Sequence, residues 1–253
     1  MLSKLNSLSH ALGELALNGI LPPLCHGCRR PLREVNKICP SCWQEIEFIV
    51  EPFCEINGTP LPFDIGKGTI SAAAIAEPPV YRRARTVAEY SGTMRNLIHQ
   101  FKYCDDLTTT ELFTTWLLRA GSELINSCDI IIPIPLHPMR LWKRRYNQAA
   151  LLSHSLANRT NRNIDCNSLI RTRPTKSQVG LSETDRETNV KGAFQLRNKC
   201  NKQVKNRSVL LIDDIITTGT TIKSAANCLL LNGASEVNVL CLARVTRNKQ
   251  IIN

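Results

Sequence analysis

Apolar runs that fit buried strands alternate with helical patterns through the C-terminal two-thirds of the chain. An unbroken run such as VLLI at 209–212 is typical of a parallel strand, because both faces of such a strand are covered. Strands are predicted at 86–91, 129–135, 168–172, 208–214 and 236–245. Helices are predicted at 109–125, 146–157 and 220–231, and through Met94, Leu97, Ile98 and Phe101. This alternation predicts an α/β fold, a parallel sheet with flanking helices.

The N-terminal segment has a different pattern, a stripe of leucines at three- and four-residue steps. These leucines are Leu2, Leu5, Leu8, Leu12 and Leu15. Such spacing places apolar side chains on one face and predicts an amphipathic helix over residues 1–24, ended by Pro22 and Pro23. Such a stripe favours packing against the protein's own body, and docking to a partner or a membrane surface is the alternative.

Between these two regions the periodicity fades. Residues 57–79 are rich in glycine and proline and predict a domain boundary or connector. No internal repeat is visible in the sequence. We therefore expect a small module at 25–70 and an α/β domain at 80–253.

Four of the eleven cysteines are paired in sequence, as CHGC and CPSC. Two CxxC knuckles with ten residues between them are typical of a structural zinc site, with Cys25, Cys28, Cys39 and Cys42 as ligands. A redox CxxC and four unrelated thiols are the alternatives, but a segment so poor in apolar residues favours a ribbon held by metal. Cys54 has Asn57 where a second cysteine would stand, so no second metal site is expected.

Charge and cysteine usage indicate compartment and partners. The first 70 residues hold six Lys/Arg and seven Asp/Glu, so the net charge of +11 belongs to the rest of the chain. A basic surface favours an anionic partner such as nucleic acid, anionic lipid or a phosphorylated metabolite. No signal-peptide pattern and no membrane-spanning run is visible, so a reducing cytoplasm is the expected location.

The segment VLLIDDIITTGTTI at 209–222 combines a buried strand, two adjacent acids and a threonine-rich turn that opens a helix. Ligands of open α/β sheets bind at the carboxyl ends of strands, where Asp213 and Asp214 are predicted to lie. The turn and the helix start suit a phosphate. Five residues form them: Thr217, Thr218, Gly219, Thr220 and Thr221. A ribose 5-phosphate meets both demands, and the chain has neither GxxxxGK[ST] nor GxGxxG.

This segment resembles the phosphoribosyl pyrophosphate (PRPP) signature of type I phosphoribosyltransferases. Further segments narrow the resemblance: the four paired cysteines, FKYCDD from Phe101, IIPIPLHPMRLWKRRYNQAALL from Ile131, and RTRPTKSQVGLSETDRETNVKGAF from Arg171. Together they are similar to the ComF family, the competence-linked phosphoribosyltransferase-like proteins of DNA uptake, which include GntX-like members. The resemblance runs from about Cys25 to Arg244.

The resemblance implies roles for individual residues. Asp213 and Asp214 would hold the ribose hydroxyls and the magnesium that PRPP brings, and act at the catalytic centre. Residues 217–221 would bind the 5′-phosphate, and the turn from Leu136 to Arg140 would correspond to the pyrophosphate loop. Residues 171–191 would form a mobile loop, in which Arg186 would neutralise pyrophosphate or pack internally.

Two positions depart from the family pattern, and one cluster suggests a partner. The family's RGFNQ is RRYNQ here, with Arg145 in place of glycine, and a cysteine expected after Cys54 is Asn57. Basic residues beside aromatic ones suit phosphate contacts and base stacking on single-stranded DNA, although a solvated helix with core aromatics explains the cluster as well. This cluster comprises Arg140, Trp142, Lys143, Arg144, Arg145 and Tyr146.

Three functions remain open at this point. The first is a competence accessory protein that binds PRPP with magnesium and single-stranded DNA, with DNA-uptake machinery at the inner face of the membrane as a further partner. The second is an active phosphoribosyltransferase with an unidentified acceptor, since positioning and charge stabilisation supply much of that chemistry. The third is a regulator in which the ligand only biases a binding module.

Overall fold

The computed structural model describes residues 22–34, 37–64, 66–103, 108–173, 192–197 and 201–246. Nearly all of the helix predicted at 1–24, and most of the loop predicted at 171–191 with Arg186, lie outside these ranges. Among the described residues no helix is both long enough and apolar enough to cross a membrane.

A parallel sheet forms the centre of the α/β domain, as the sequence predicts. Its strands are β1 (Arg83–Glu89), β2 (Ile130–Pro133), β3 (Asn163–Ile164), β6 (Ser208–Ile216) and β7 (Glu236–Arg244). They lie in the order β1-β7-β6-β2-β3, and every neighbouring pair is parallel. A separate antiparallel pair is made by β4 (Leu169–Arg171) and β5 (Phe194–Leu196).

Helices cover both faces of this sheet. Those of the α/β domain are α3 (Gly92–Tyr103), α4 (Thr109–Ala120), α5 (Ser122–Ser127), α6 (Pro138–Arg144), α7 (Gln148–Thr160), α8 (Asn201–Val204) and α9 (Thr220–Leu231), preceded by α1 (Pro40–Gln44) and α2 (Ala72–Ala76). Buried side chains of α3, α4, α5 and α7 form one core cluster against the sheet, and α9 packs with β5 in a second cluster. The two clusters explain why the sheet strands are apolar on both faces.

Three predicted elements differ from the observed ones. The helix predicted at 109–125 is two helices, interrupted at Gly121, a residue type of low helix propensity. The helix predicted at 146–157 begins at Gln148, because the side chain of Asn147 caps it by accepting the N–H of Ala149. The strand predicted at 168–172 pairs with β5 and not with the main sheet. The sequence pattern of one strand does not specify its pairing partner.

The described residues between 23 and 76 fold into two copies of one small unit, a repeat that is not visible in the sequence. In each copy a cysteine N–H donates to the carbonyl five residues later, and the N–H four residues later donates back to that cysteine. The matching hydrogen bonds are Cys25 to Arg30 and Arg29 to Cys25, then Cys54 to Thr59 and Gly58 to Cys54. Backbone hydrogen bonds define this repeat, so residue identities do not reveal it.

Each copy ends in a short helix, α1 in the first and α2 in the second. The helix caps are Cys39 and Ser71, whose side chains accept the N–H three residues later. The second copy therefore includes much of the glycine- and proline-rich stretch at 57–79, where a boundary or connector was predicted. Turn residues there build the second unit, and the composition alone cannot distinguish the two cases.

Candidate functional site

The direction in which the chain moves from one strand to the next reverses between β2 and β6. The chain leaves β2 towards β3 on one side and leaves β6 towards β7 on the other. Open α/β sheets bind their ligands in the crevice at such a switch point. The residues predicted to bind PRPP lie in the C-terminal half of β6 and in the turn and helix start that follow it, which is the position where this fold places a ligand.

Asp213 and Asp214 lie where β6 extends past its neighbour β2. The pairing of β2 with β6 ends at Pro133 opposite Ile212, while β6 continues along β7 to Ile216. The sequence predicted the aspartates as the last residues of the strand, but β6 continues to Ile216. They are the first residues of β6 past the end of its pairing with β2. This overhang leaves the β2 side of both residues facing the crevice.

The two carboxylates have different cationic neighbours. Asp214 forms an ion pair with Lys102 of α3, with 2.9 Å between carboxylate Oδ2 and Nζ, and both side chains are only 14% exposed. The guanidinium of Arg171 in β4 acts electrostatically on Asp213. Adjacent strand residues point to opposite faces, which explains why one carboxylate meets α3 and the other meets the small sheet.

Burial, and after it the charge of Asp214, raises the pKa of Asp213 to about 7. The N–H of Asp214, which donates to Asp213 Oδ1 at 2.9 Å, and the nearby cations act in the opposite direction. Burial and the neighbouring Arg140 lower the pKa of Arg171 to about 10. Two adjacent carboxylates also offer the hard oxygen ligands that magnesium prefers, so this donor set fits Mg²⁺.

The turn after β6 has the geometry expected of a phosphate site. Gly219 is in the left-handed region with φ of 77°, and no heavy atom lies within 4 Å of the place where a side chain would begin. It occupies the N-cap of α9 and provides no side-chain cap for the first N–H groups. The hydroxyls of Thr218 and Thr220 lie 2.6 Å apart beside it. A helix start of this kind attracts an anion.

The loop after β2 reaches the same edge. His137 caps α6 by accepting the N–H of Met139 at its Nδ1. Asn147 ties the far end of this segment back to the strand, since its amide donates to the carbonyl of Ile134 at 3.0 Å. Arg145 has a left-handed backbone with φ of 64°, a conformation that favours glycine.

The basic and aromatic cluster divides into an inner and an outer part. Arg140 is half-buried, and its charge acts on Arg171, so it lies towards the sheet edge. Tyr146 is anchored inside, because its hydroxyl donates to the carbonyl of Phe101 at 2.8 Å. Trp142 is 88% exposed, and the Arg144 guanidinium stacks over the ring of Tyr103 at 5.3 Å. The side chain of Lys143 lies outside the described set.

The four paired cysteines converge in the first copy of the repeat. Their sulfur atoms all lie within 4.8 Å of one another, and Sγ of Cys28 and Cys39 are 3.6 Å apart. Four zinc-bound thiolates at Zn–S of about 2.3 Å have sulfurs separated by roughly 3.8 Å, so this cluster fits a tetrahedral zinc ion. Burial opposes ionisation of Cys25, but surrounding backbone N–H groups more than offset it and lower its pKa to about 6.

A cavity of about 550 Å³ lies between the ribbons and the domain. Its wall includes Trp43 from the first copy, Phe53 from the second, and Trp116 from α4. None of its lining residues belongs to the sheet edge that holds Asp213 and Asp214.

Two cationic residues of the site were not predicted individually. Lys102 belongs to FKYCDD, but the helical pattern identified only the apolar face of α3 and not the position of a lysine at its last turn. Arg171 was predicted only as the start of a loop, and its approach to Asp213 depends on the pairing of β4 with β5. Both positions depend on tertiary packing, for which one sequence carries no signal.

Comparisons with known protein families agree with this two-part organisation. Residues 16–74 match the family described as a double zinc ribbon domain. Residues 170–251 match the family described as a phosphoribosyl transferase domain. The first match covers the first copy of the repeat and all but the last two residues of the second. The second match includes β6, the turn and α9.

Full-length relatives span both parts. The chain is 32% identical over 232 residues to the DNA utilization protein YhgH of Escherichia coli strain K12, which covers 88% of this chain and 98% of that protein. It is 30% identical to competence protein F of Haemophilus influenzae, over 87% of this chain and 96% of the other. It is 26% identical to competence protein ComFC of Bacillus subtilis, over 87% and 84%.

Solved structures give weaker similarities. Orotate phosphoribosyltransferase from Aeropyrum pernix has a TM-score of 0.35 at 17% identity, over 56% of this chain and 63% of that one. Purine phosphoribosyltransferase from Pyrococcus horikoshii has a TM-score of 0.33 at 14% identity, over 53% and 71%. Values this low add nothing to what the strand order and the sequence relatives establish.

Proposed function

The chain belongs to the ComF family of competence and DNA utilization proteins, and from this premise we propose that it is a DNA-uptake accessory protein. In this proposal it binds PRPP with magnesium at the sheet edge and single-stranded DNA on its basic surface. The observation that carries it is the meeting of an acidic pair and an anion-binding helix start at the switch point.

The geometry supports a ligand with a diol and a phosphate. Asp213 and Asp214 would accept hydrogen bonds from ribose hydroxyls or bind Mg²⁺, which supplies positive charge to the pyrophosphate. Gly219 and the N–H groups at the start of α9 would hold the 5′-phosphate, with hydroxyls of residues 217, 218, 220 and 221 as further donors. Arg171 and Arg140 add positive charge beside the carboxylates.

The outer part of the basic cluster supports a DNA contact. An exposed tryptophan offers a stacking surface for a base, and the neighbouring Arg144 offers a charge for the adjacent phosphate. Residues 71–253 carry a net charge of +12, so the field around this surface attracts a polyanion. Uptake machinery at the inner face of the membrane would present such a strand to a protein bound peripherally there.

Single-stranded DNA binding is tested with the full chain by fluorescence anisotropy at several salt concentrations. We expect affinity to fall steeply as salt rises, because phosphate contacts release counterions. The titration is repeated with PRPP and Mg²⁺ and with Asp213→Asn. Absence of binding at low salt, or affinity that does not change with salt, would contradict the DNA part of the proposal.

A second candidate is phosphoribosyl transfer to an unidentified acceptor. It is favoured by Asp213, since a carboxylate with a pKa of about 7 can take a proton from an acceptor near neutral pH. Pyrophosphate release from PRPP is measured over a panel of bases and amines, with Asp213→Asn and Asp214→Asn as controls. Acceptor-dependent release by the wild type alone would support an enzyme, and no release over the panel would count against it.

The regulator hypothesis differs from both in one respect, the coupling of ligand to DNA. If PRPP alters DNA affinity without being consumed, the ligand acts as an effector. If DNA affinity is the same with and without PRPP, that coupling is absent, and the two sites act independently.

A further inference from the structure

The two copies of the ribbon have the same backbone fold, but only the first has a complete set of metal ligands. Further hydrogen bonds align them: His26 N–H donates to Lys37 O in the first copy, as Glu55 N–H donates to Thr69 O in the second. The positions that correspond are Cys25 with Cys54, Cys28 with Asn57, Cys39 with Ser71, and Cys42 with Ala74. A double zinc ribbon needs four ligands in each copy.

The second set of positions does not fit a zinc ion. Cys54 supplies one sulfur, but the amide oxygen of Asn57 already accepts hydrogen bonds from the N–H and the hydroxyl of Thr59, at 3.0 and 2.7 Å. The hydroxyl of Ser71 accepts the N–H of Ala74 at 3.3 Å. Ala74 has no ligand atom. Among the described residues, the four cysteines of the first copy form the one group of three or more Cys, His, Asp or Glu side chains close enough together to share a metal ion.

In the second copy, the thiol at the first ligand position is held by hydrogen bonds. Cys54 is fully buried, and its sulfur accepts the N–H of Ser71 at 3.2 Å. The corresponding contact in the first copy, from the N–H of Cys39 to the sulfur of Cys25, has the same length. Burial alone would raise the pKa of Cys54, but the N–H of Asn57, the side chain and N–H of Ser71, and the N–H of Ile56 lower it below its ordinary value.

Docking to the sheet provides the remaining support for the second copy. The N–H of Ala84 in β1 donates to the carbonyl of Ile56 at 2.7 Å, and the buried guanidinium of Arg244 donates to the carbonyl of Asn57. At Gly58, φ is +65°, and a side chain would begin only 2.5 Å from the carbonyl oxygen of Ala84. No residue with a side chain fits that contact.

We infer that this chain binds a single structural zinc, in the first ribbon, and that the second ribbon is a metal-free copy held by Cys54 and by its docking on β1. In the first ribbon, the first CxxC segment supplies two thiols for the metal. In the second ribbon, the corresponding segment supplies the carbonyls of Ile56 and Asn57 as hydrogen-bond acceptors for the sheet. The second ribbon thus serves as a fixed joint between the zinc module and the α/β domain. Removing zinc should loosen the first ribbon and leave the second in place.

Zinc content of the purified full chain, measured by plasma mass spectrometry after dialysis, tests this inference. We expect about one zinc per chain, about none in Cys25→Ser, and about one still bound in Cys54→Ser, since only the first set is a complete tetrahedral ligand set. About two zinc ions in the wild type would overturn the inference, as would loss of the single zinc in a folded Cys54→Ser protein.

A restored ligand set provides a measurement that does not depend on the folding of a Cys54 variant. The triple variant Asn57→Cys, Ser71→Cys, Ala74→Cys returns four thiols to the second copy. We expect it to bind about two zinc ions, because the backbone already places the four positions as in the first copy. A folded triple variant that still binds about one would contradict the alignment of the two ribbons.

Discussion

At the scale of single residues, two positions carry an energetic cost: the surroundings of Asp213 disfavour its charged form, and the backbone conformation of Arg145 disfavours a residue with a side chain. Asp213 is an acid in a half-buried position beside a second acid. Arg145 is a residue with a side chain in a backbone conformation that favours glycine. Costs of this kind are usual at functional sites, where binding requirements outweigh stability.

For Asp213, we expect Asp213→Asn to stabilise the protein at pH 8. The raised pKa, about 7, means that the folded state holds a proton that the unfolded state has already lost. The stabilising effect of that proton is complete below the unfolded pKa near 4 and is lost as pH rises through 7. Because asparagine carries no charge, we expect a gain of roughly 1–3 kcal/mol at pH 8 that shrinks towards pH 5.

Urea unfolding of the two proteins at pH 5 and pH 8 measures this gain. Asp214→Asn is the matched control, because it removes the partner of Lys102 and should not stabilise the fold. Equal stability of wild type and Asp213→Asn at pH 8 would show that Asp213 is not under the strain described.

For Arg145, we expect Arg145→Gly to be more stable than Arg145→Ala. Both variants lose the same charge and the same side-chain contacts, but only glycine adopts a φ of 64° without a steric cost. The difference should be about 1 kcal/mol. Thermal unfolding measures it, and equal midpoints would mean that the left-handed backbone carries no strain.

At the scale of elements, helices contribute single residues to the edge of a sheet that they otherwise only cover. The apolar face of α3 is buried in the core, while Lys102 in its last turn pairs with Asp214. In α6, Arg140 lies towards the sheet edge, and Trp142 faces solvent. Each helix therefore connects the packing of the domain to a charge or a ring at its surface.

We expect Lys102 and Asp214 to be energetically coupled. Lys102→Met leaves a nearly buried carboxylate without its partner and should cost about 2–4 kcal/mol. In the double variant Lys102→Met, Asp214→Asn, the unpaired charge is gone, so part of the loss should return, with a coupling of about 1–3 kcal/mol. Urea unfolding of the four proteins gives this value. Lys202→Met, at an exposed lysine, is the control, and strict additivity would contradict the pairing.

We expect Trp142→Ala to weaken single-stranded DNA binding by about 1–3 kcal/mol, the value typical of one stacked base. The slope of affinity against salt should stay the same, because no charge is lost. Met139→Ala is the matched control, since Met139 is an exposed apolar residue on the same helix but has no ring. Equal losses in the two variants would argue against stacking.

Much of the site could be predicted from the sequence because its residues are consecutive. Asp213 and Asp214 lie near the carboxyl end of one strand, and residues 217–221 follow that strand, so a local pattern predicted their place at the sheet edge. Lys102 and Arg171 come from α3 and β4, and only tertiary packing brings them to the aspartates. The second ribbon escaped prediction for a related reason, since its repeat consists of backbone hydrogen bonds and retains one of four cysteines.

At the scale of the whole molecule, the ribbons and the α/β domain differ in charge and in what stabilises them. The ribbons are close to neutral, and one of them uses zinc where the other uses contacts with β1. The α/β domain carries the positive charge and the sheet-edge site. A ligand at the switch point and a polyanion on α6 would therefore lie on the same domain, and Arg140 lies between them.

The central claim, that the sheet edge is a PRPP site, is tested most directly by calorimetric titration of PRPP into the full chain, with and without Mg²⁺. We expect binding that requires Mg²⁺ and that weakens at least about tenfold in Asp213→Asn, a loss of about 1.4 kcal/mol. Arg145→Gly, which leaves the acidic pair and the phosphate turn intact, should bind as the wild type does. No binding by the wild type, or equal affinity of wild type and Asp213→Asn, would contradict the claim.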